Sequence, residues 1–190
     1  DGTRGTLKRL IDRGDVVSPA RGFYVPVSPE HRAWGGPPAV DYIDSMMRHL
    51  DRVYYVALLS AAELHGVAHQ RPQVFQVVTD RQLAARQVGR THLRFYTTTR
   101  LSRIPAVERN SRTGTIRMSS VEATMFDLAF RPTASGGLDN VATIFGELLE
   151  EQLIDMDRLG EAADVFPSSA VRRVGWLLER LGGVEVRDRI

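Results

Sequence analysis

Leu7 to Val27 reads LKRLIDRGDVVSPARGFYVPV, and its punctuation decides the first unit of the fold. Leu7, Leu10 and Ile11 fall at i, i+3 and i+4, the spacing of one helical face, and Gly14 supplies a stop, so a short helix is expected over Thr3–Arg13. Val16 and Val17 precede a turn cluster, Ser18 to Gly22. Phe23, Tyr24 and Val25 form a second apolar run closed by Pro26 and Pro29, which completes the pattern of a β-hairpin. A helix feeding directly into a two-stranded ribbon with Arg21 near its tip is the back half of a winged helix-turn-helix. In that motif the helix enters the major groove and the wing touches phosphate or the minor groove. Thr3, Arg4, Thr6, Lys8 and Arg9 on the helix, with Arg21 on the wing, are therefore the candidate DNA contacts. A unit of this size cannot bury a core alone. The chain starts without Met inside what would be the third helix of such a motif, so the expectation is that upstream helices precede it or that the unit leans on the rest of the chain.

Working outward, His31 to Pro38 carries the cluster Gly35, Gly36, Pro37, Pro38 and reads as a linker. The expected division is a partial winged helix-turn-helix over 1–30, a linker over 31–38 and a second domain over 39–190. In the second domain, Ala39–Leu50 places Ile43, Met46, Met47 and Leu50 on one helical face, and Tyr54–Leu64 reads as a buried helix stopped by Gly66. Gln73–Thr79 is a continuous apolar strand. His92–Thr98 alternates, with Leu93 and Phe95 inward and Arg94 and Tyr96 outward. Val107–Asn110 and Thr115–Met118 flank a turn. Ser119 with Glu122 three residues on is a capping box for a helix over Val121–Phe130. Val141, Ile144, Phe145 and Leu148 stripe a helix over Asn140–Glu151, a weaker one follows at Asp155–Val165, and Val171, Val174, Leu178 and Leu181 line the last. The fold class expected is α+β: the partial winged helix, then a domain with a small mixed or antiparallel sheet and several helices.

The chain of 190 residues is 43% apolar and 25% charged, ordinary globular composition. No apolar run reaches the roughly 20 residues of a membrane helix and nothing at Asp1 resembles a secretion signal, so no membrane association and a cytoplasmic location are expected. Without cysteine there is no disulfide, thiolate metal site or cysteine nucleophile. Lys8 is the only lysine among 25 Lys and Arg residues, which excludes a P-loop, a Schiff-base enzyme and the usual restriction-type nuclease core. A GC-rich coding bias explains the arginines more simply than selection for phosphate binding does. Residues 71–117 hold ten arginines against Asp80 and Glu108, and 118–165 reverse this with ten acids against two arginines. Arg81, Arg86, Arg90, Arg94, Arg100 and Arg103 are thus a possible polyanion-binding, nucleic-acid surface, or else a solvated face paired with the acidic helices.

Catalytic patterns are thin: there is no G-x-G dinucleotide loop and no G-x-S-x-G elbow. His65 and His69 have the i, i+4 spacing of a helical metal site, but Gly66 stands where a zinc protease has its Glu. Asp41 and Asp44 are explained as acids in the first turn of a helix. No enzyme activity, cofactor or metal is expected, and a small hydrolase using these four groups is the enzyme-class rival.

Leu7 to Val27 resembles the recognition helix and wing of the AbiEi-type antitoxins of bacterial type IV toxin–antitoxin systems. YYVALLSAAELHG from Tyr54, QVFQVVT from Gln73, SSVEATMFDLAFRP over Ser119–Pro132 and VRRVGWLLERLGG over Val171–Gly183 are similar, in order and spacing, to their C-terminal domain. The resemblance covers nearly the whole chain. It implies a DNA-binding repressor of its own operon that also counteracts a cognate nucleotidyltransferase-like toxin, with operator DNA and that toxin as partners. A protein-interaction module, or a transcriptional regulator unrelated to a toxin, is the alternative.

Overall fold

The computed structural model describes residues 2–67 and 74–182, the side chains of residues 2–4 excepted. Helix α1 (Gly2–Asp12) ends at Gly14, whose φ of 72° takes the left-handed conformation open to glycine. It leads into the antiparallel ribbon β1 (Val16–Ala20) and β2 (Phe23–Pro26). Pro19 is tolerated because β1 has a free edge, and the turn narrows to Arg21–Gly22.

The second sheet has six strands in the order β5, β6, β4, β3, β8, β7. They are β3 (Tyr54–Val56), β4 (Val74–Thr79), β5 (Arg86–Val88), β6 (Thr91–Thr97), β7 (Ala106–Ser111) and β8 (Gly114–Ser119). β4 runs parallel to β6, with Val77 opposite Phe95, and β3 parallel to β8; the remaining pairs are antiparallel. The sheet is mixed, and the α+β class holds.

Strand alternation gives the sheet two apolar faces. Tyr54, Val56, Val77, Leu93, Phe95 and Met118 point to one, which is covered by Ile43, Met46 and Met47 of α2 (Ile43–His49) and by Ala20 of the ribbon, with Val17, Phe23 and Val25 alongside. Tyr55 and Val78 point to the other, beneath α3 (Leu58–His65), α4 (Val121–Phe130), α5 (Leu138–Glu150), α6 (Met156–Ala163) and α7 (Ser168–Leu181). There Val141, Ile144, Phe145 and Leu148 are all buried, as their helical spacing requires, and Phe126 stacks on Phe166 at 5.0 Å. The ribbon therefore shares a core with the sheet.

Several sequence expectations change. Tyr54–Leu64 is not one helix: Tyr54–Val56 is a central strand and only Leu58–His65 is helical. A short, wholly apolar run has no periodicity to separate buried strand from buried helix, and the aromatic, β-branched Tyr-Tyr-Val triplet takes the strand. Leu58 makes the sharp corner with φ 54°, and Gln76 on β4 supports it by accepting the Leu59 N–H at 2.9 Å. Ala39–Leu50 likewise splits into a 3₁₀ turn (Ala39–Asp41) and α2, broken at Tyr42. The cap of α4 is Ser120, not Ser119: Ser120 Oγ accepts the Ala123 N–H at 3.2 Å and donates to Glu122 at 2.9 Å, while Ser119 Oγ meets Thr124 Oγ1 at 2.7 Å. β5 carries too little pattern to be read from the sequence, since only Val88 in it is buried.

The stretch 31–38, expected as a linker, is packed. A 3₁₀ helix (Pro29–Trp34) ends at Gly35, whose backbone lies against Gly89 in the β5–β6 turn. The Arg90 N–H donates to the Trp34 carbonyl at 3.0 Å. Among the described residues no helix is long and apolar enough to cross a membrane.

Candidate functional site

Helix α1 stands off the body of the protein. Its half-buried residues are Leu7 and Leu10; Thr6, Lys8, Arg9 and even Ile11 are exposed. Thr3 and Arg4 belong to the helix, but their side chains lie outside the described residues. Arg9 folds back along the helix, its Nη2 donating to Thr6 Oγ1 at 3.2 Å and its Nε to the Gly5 carbonyl at 3.4 Å. Asp15, just past the helix, is clamped by Arg13 and Arg32, both at 2.6 Å, which ties the helix exit to the packed 3₁₀ segment.

The ribbon is a mounted element rather than a free one. Its tip rests on the end of α2, where His49 Nε2 lies 3.0 Å from the Arg21 carbonyl oxygen and the His49 ring 5.5 Å from that of Phe23. Arg86 on β5 donates from Nη1 to the Pro19 carbonyl at 3.1 Å. The Arg21 side chain and Tyr24 remain exposed. The helix and the ribbon thus present Lys8, Arg9 and Arg21 to solvent from a base fixed to the six-stranded sheet.

The six arginines singled out in the basic segment do not form one stripe. Arg86 is half-buried and engaged with the ribbon. Arg90 lies 5.6 Å above the Trp34 ring at the start of β6, while Arg100 follows the end of that strand, roughly 20 Å away at about 3.3 Å per residue. Arg94 is exposed on β6 opposite Gln76, and Arg103 is exposed. Arg81 pairs with Asp80 at 3.8 Å, and Arg100 donates to the Val165 carbonyl at 3.0 Å. Arg81 and Arg100 converge with Arg131 on a cleft of about 510 Å³ at the carboxyl ends of β4 and β6, closed at its base by Tyr55 and Asp127.

Asp127 and Arg131 escaped the sequence reading. The signal available was a carboxylate inside the otherwise apolar VEATMFDLAF helix, four residues before an arginine. Asp127 is 1% exposed, and burial pushes its carboxyl up to about 7, outweighing Arg131 at 3.5 Å and the Tyr55 hydroxyl donating from 3.3 Å. Burial also raises the Tyr55 phenol, a shift reinforced by Asp127.

Among the described residues the enzyme-class candidates are not brought together. Asp44 accepts from Arg48 and from the Tyr54 hydroxyl, and Asp41 lies 3.9 Å from Arg112. His65 Nε2 sits 2.9 Å from the Ser119 carbonyl, and burial holds its imidazole below its usual range. His69 lies outside the described residues. Among the described residues no group of three or more His, Asp or Glu is placed to hold a metal ion.

Residues 55–180 match the family model of the AbiEi antitoxin C-terminal domain. Among solved structures, the crystal structure of the RV2827C protein from Mycobacterium tuberculosis is similar, with a TM-score of 0.65 and 16% sequence identity. The likeness covers 94% of this chain and 65% of that one, and at such identity it establishes the fold alone. No curated protein matches.

Proposed function

This chain belongs to the AbiEi antitoxin C-terminal domain family, and from that premise we propose that it is the antitoxin of a type IV toxin–antitoxin system. In this reading it represses its own operon by binding DNA and counteracts a nucleotidyltransferase-like toxin in the cytoplasm, as a regulator and not as an enzyme. The family match over 55–180 carries the antitoxin half.

The DNA half rests on α1 and the ribbon, read as part of a winged helix-turn-helix that contacts DNA through Thr3, Arg4, Thr6, Lys8, Arg9 and Arg21. Exposure of Thr6, Lys8, Arg9 and Arg21, on a helix followed directly by a ribbon, supports it. Removal of an arginine that is bidentate to guanine should cost about 1–3 kcal/mol and relax specificity there, whereas loss of a phosphate contact weakens all sequences alike. The rigid mount favours the reading too, because a helix and wing held in fixed relation bind with less ordering cost.

Residues 39–190 carry the toxin-directed half. A fragment starting there would lose the ribbon that covers one face of the sheet, so the test belongs to the full-length protein. Co-expressed with the nucleotidyltransferase-like product of its own operon, it should restore growth; toxicity unrelieved by soluble antitoxin would refute this half. The charge-polarised sequence favours direct contact with the toxin, with Arg81, Arg90, Arg94 and Arg103 as exposed candidates.

A further inference from the structure

The cleft between the sheet and the helical layer has the attributes of a ligand site. It lies outside the carboxyl ends of the parallel strands β4 and β6, the position where open sheets bind ligands, and its 510 Å³ suits a small molecule. Its inner wall is part apolar, with Ile104, Phe130 and Phe166. Its rim carries Arg81, Arg100 and Arg131 against Asp80, with the hydroxyls of Thr98 and Thr99.

Two features show a built site. Arg131 is fixed in place: Nη2 donates to the Thr97 carbonyl at 3.3 Å, and the guanidinium lies 5.3 Å from the Tyr96 ring and 4.7 Å from that of Phe130. Its Nη1 also donates to Asp127 Oδ1 at 3.5 Å, so the remaining N–H groups of a held guanidinium are what it can offer an oxyanion. Below it, Asp127 Oδ1 is satisfied by Tyr55 and Arg131, but Oδ2 is enclosed and has no hydrogen-bond partner. A buried polar atom left unpaired is costly and calls for a partner. Since the carboxyl sits at about 7, near neutral pH it is available as an O–H donor as well as an acceptor.

We infer that this cleft binds a small phosphate monoester: Arg100 and Arg131, with Arg81 and the Thr98 and Thr99 hydroxyls, hold the phosphate, and the organic part lies against Ile104, Phe130 and Phe166. A small molecule is favoured over a nucleic-acid end because the carboxyl is enclosed at the base of a cleft and not on an open groove. The site is separate from α1 and the ribbon, so it stands or falls independently of operator binding.

The probes are inorganic phosphate and phenyl phosphate, titrated calorimetrically into the full-length protein. Saturable binding of both is expected, tighter for phenyl phosphate. Arg100→Gln, on an exposed loop, should lower the affinity about tenfold or more, and Arg131→Lys, which keeps the charge but not the fork, should do likewise. Arg81→Gln provides a second surface variant should either of these fail to fold. Absence of saturable binding by the wild-type protein, or affinities unchanged in all three variants, would overturn the assignment. So would tighter binding of a 5′-phosphorylated oligonucleotide than of phenyl phosphate, lost in Arg100→Gln, which would give the cleft to a nucleic-acid end.

Discussion

Replacing Gly89 by Ala tests whether the segment between ribbon and sheet is a packed part of the fold. Gly89 has φ +56°, and a methyl group there would fall on the Trp34 carbonyl oxygen and 2.5 Å from the Gly35 carbonyl carbon, both backbone atoms with no rotamer to yield. The left-handed conformation alone costs an alanine roughly 1–2 kcal/mol, offset by about 0.4–1 kcal/mol because the unfolded chain also loses freedom. Forcing the two backbones apart adds about 1–3 kcal/mol, as overpacking does in a tight interior. The net loss is about 1–5 kcal/mol, centred near 3. Gly14→Ala is the control, for its φ is +72° but nothing lies within 4 Å of the added methyl, so only the conformational part, roughly 1 kcal/mol, remains. Urea unfolding followed by circular dichroism, compared at equal m-value, gives both numbers. A Gly89→Ala loss no larger than that of Gly14→Ala would refute the claim that Trp34 and Gly35 are wedged against the β5–β6 turn.

Other expectations follow from the same structure. Asp127 has a folded-state carboxyl raised from 3.8 to about 7, so between those values the native state holds a proton that the unfolded state has lost, and this group's contribution falls as pH rises from about 4 to about 7 and is flat above. Asp127→Asn keeps the shape without the titration, so the stability of wild type relative to this variant should decline by a few kcal/mol across that window, with Tyr55 and Arg131 touching the group and Asp80, Arg81 and Arg100 across the cleft unchanged. A pH-independent difference in Tm would contradict it. Ser120→Ala should destabilise by about 1 kcal/mol in urea unfolding through loss of the α4 cap; a loss within error would place the cap elsewhere.

What the sequence disclosed was whatever depends on local pattern. The Val141, Ile144, Phe145, Leu148 stripe, the alternation around Leu93 and Phe95, and the helix-then-ribbon order of Leu7–Val27 each repeat with a period that one element imposes. Tyr54–Val56 was illegible as a strand because a run buried on both faces has no alternation, and β5 because a three-residue edge strand has almost no pattern at all. The packing of Gly35 on Gly89 joins residues more than fifty apart, and glycine and proline announce a bend without saying what it rests on. The cleft was hidden for the same reason. Tyr55, Arg81, Arg100, Asp127 and Arg131 come from separate segments that only the β3–β4–β6 order and the seating of α4 bring together.

The account turns on α1 and the ribbon meeting one duplex, and fluorescence anisotropy of the full-length protein on its own promoter over a salt series tests that most directly. We expect preference for the promoter over a shuffled duplex. In the Lys8→Ala, Arg9→Ala, Arg21→Ala triple variant we expect weaker binding and a log–log salt slope less steep by about 3, near 0.9 for each phosphate contact removed. Equal affinity for both duplexes, with a slope that the triple variant leaves unaltered, would contradict it.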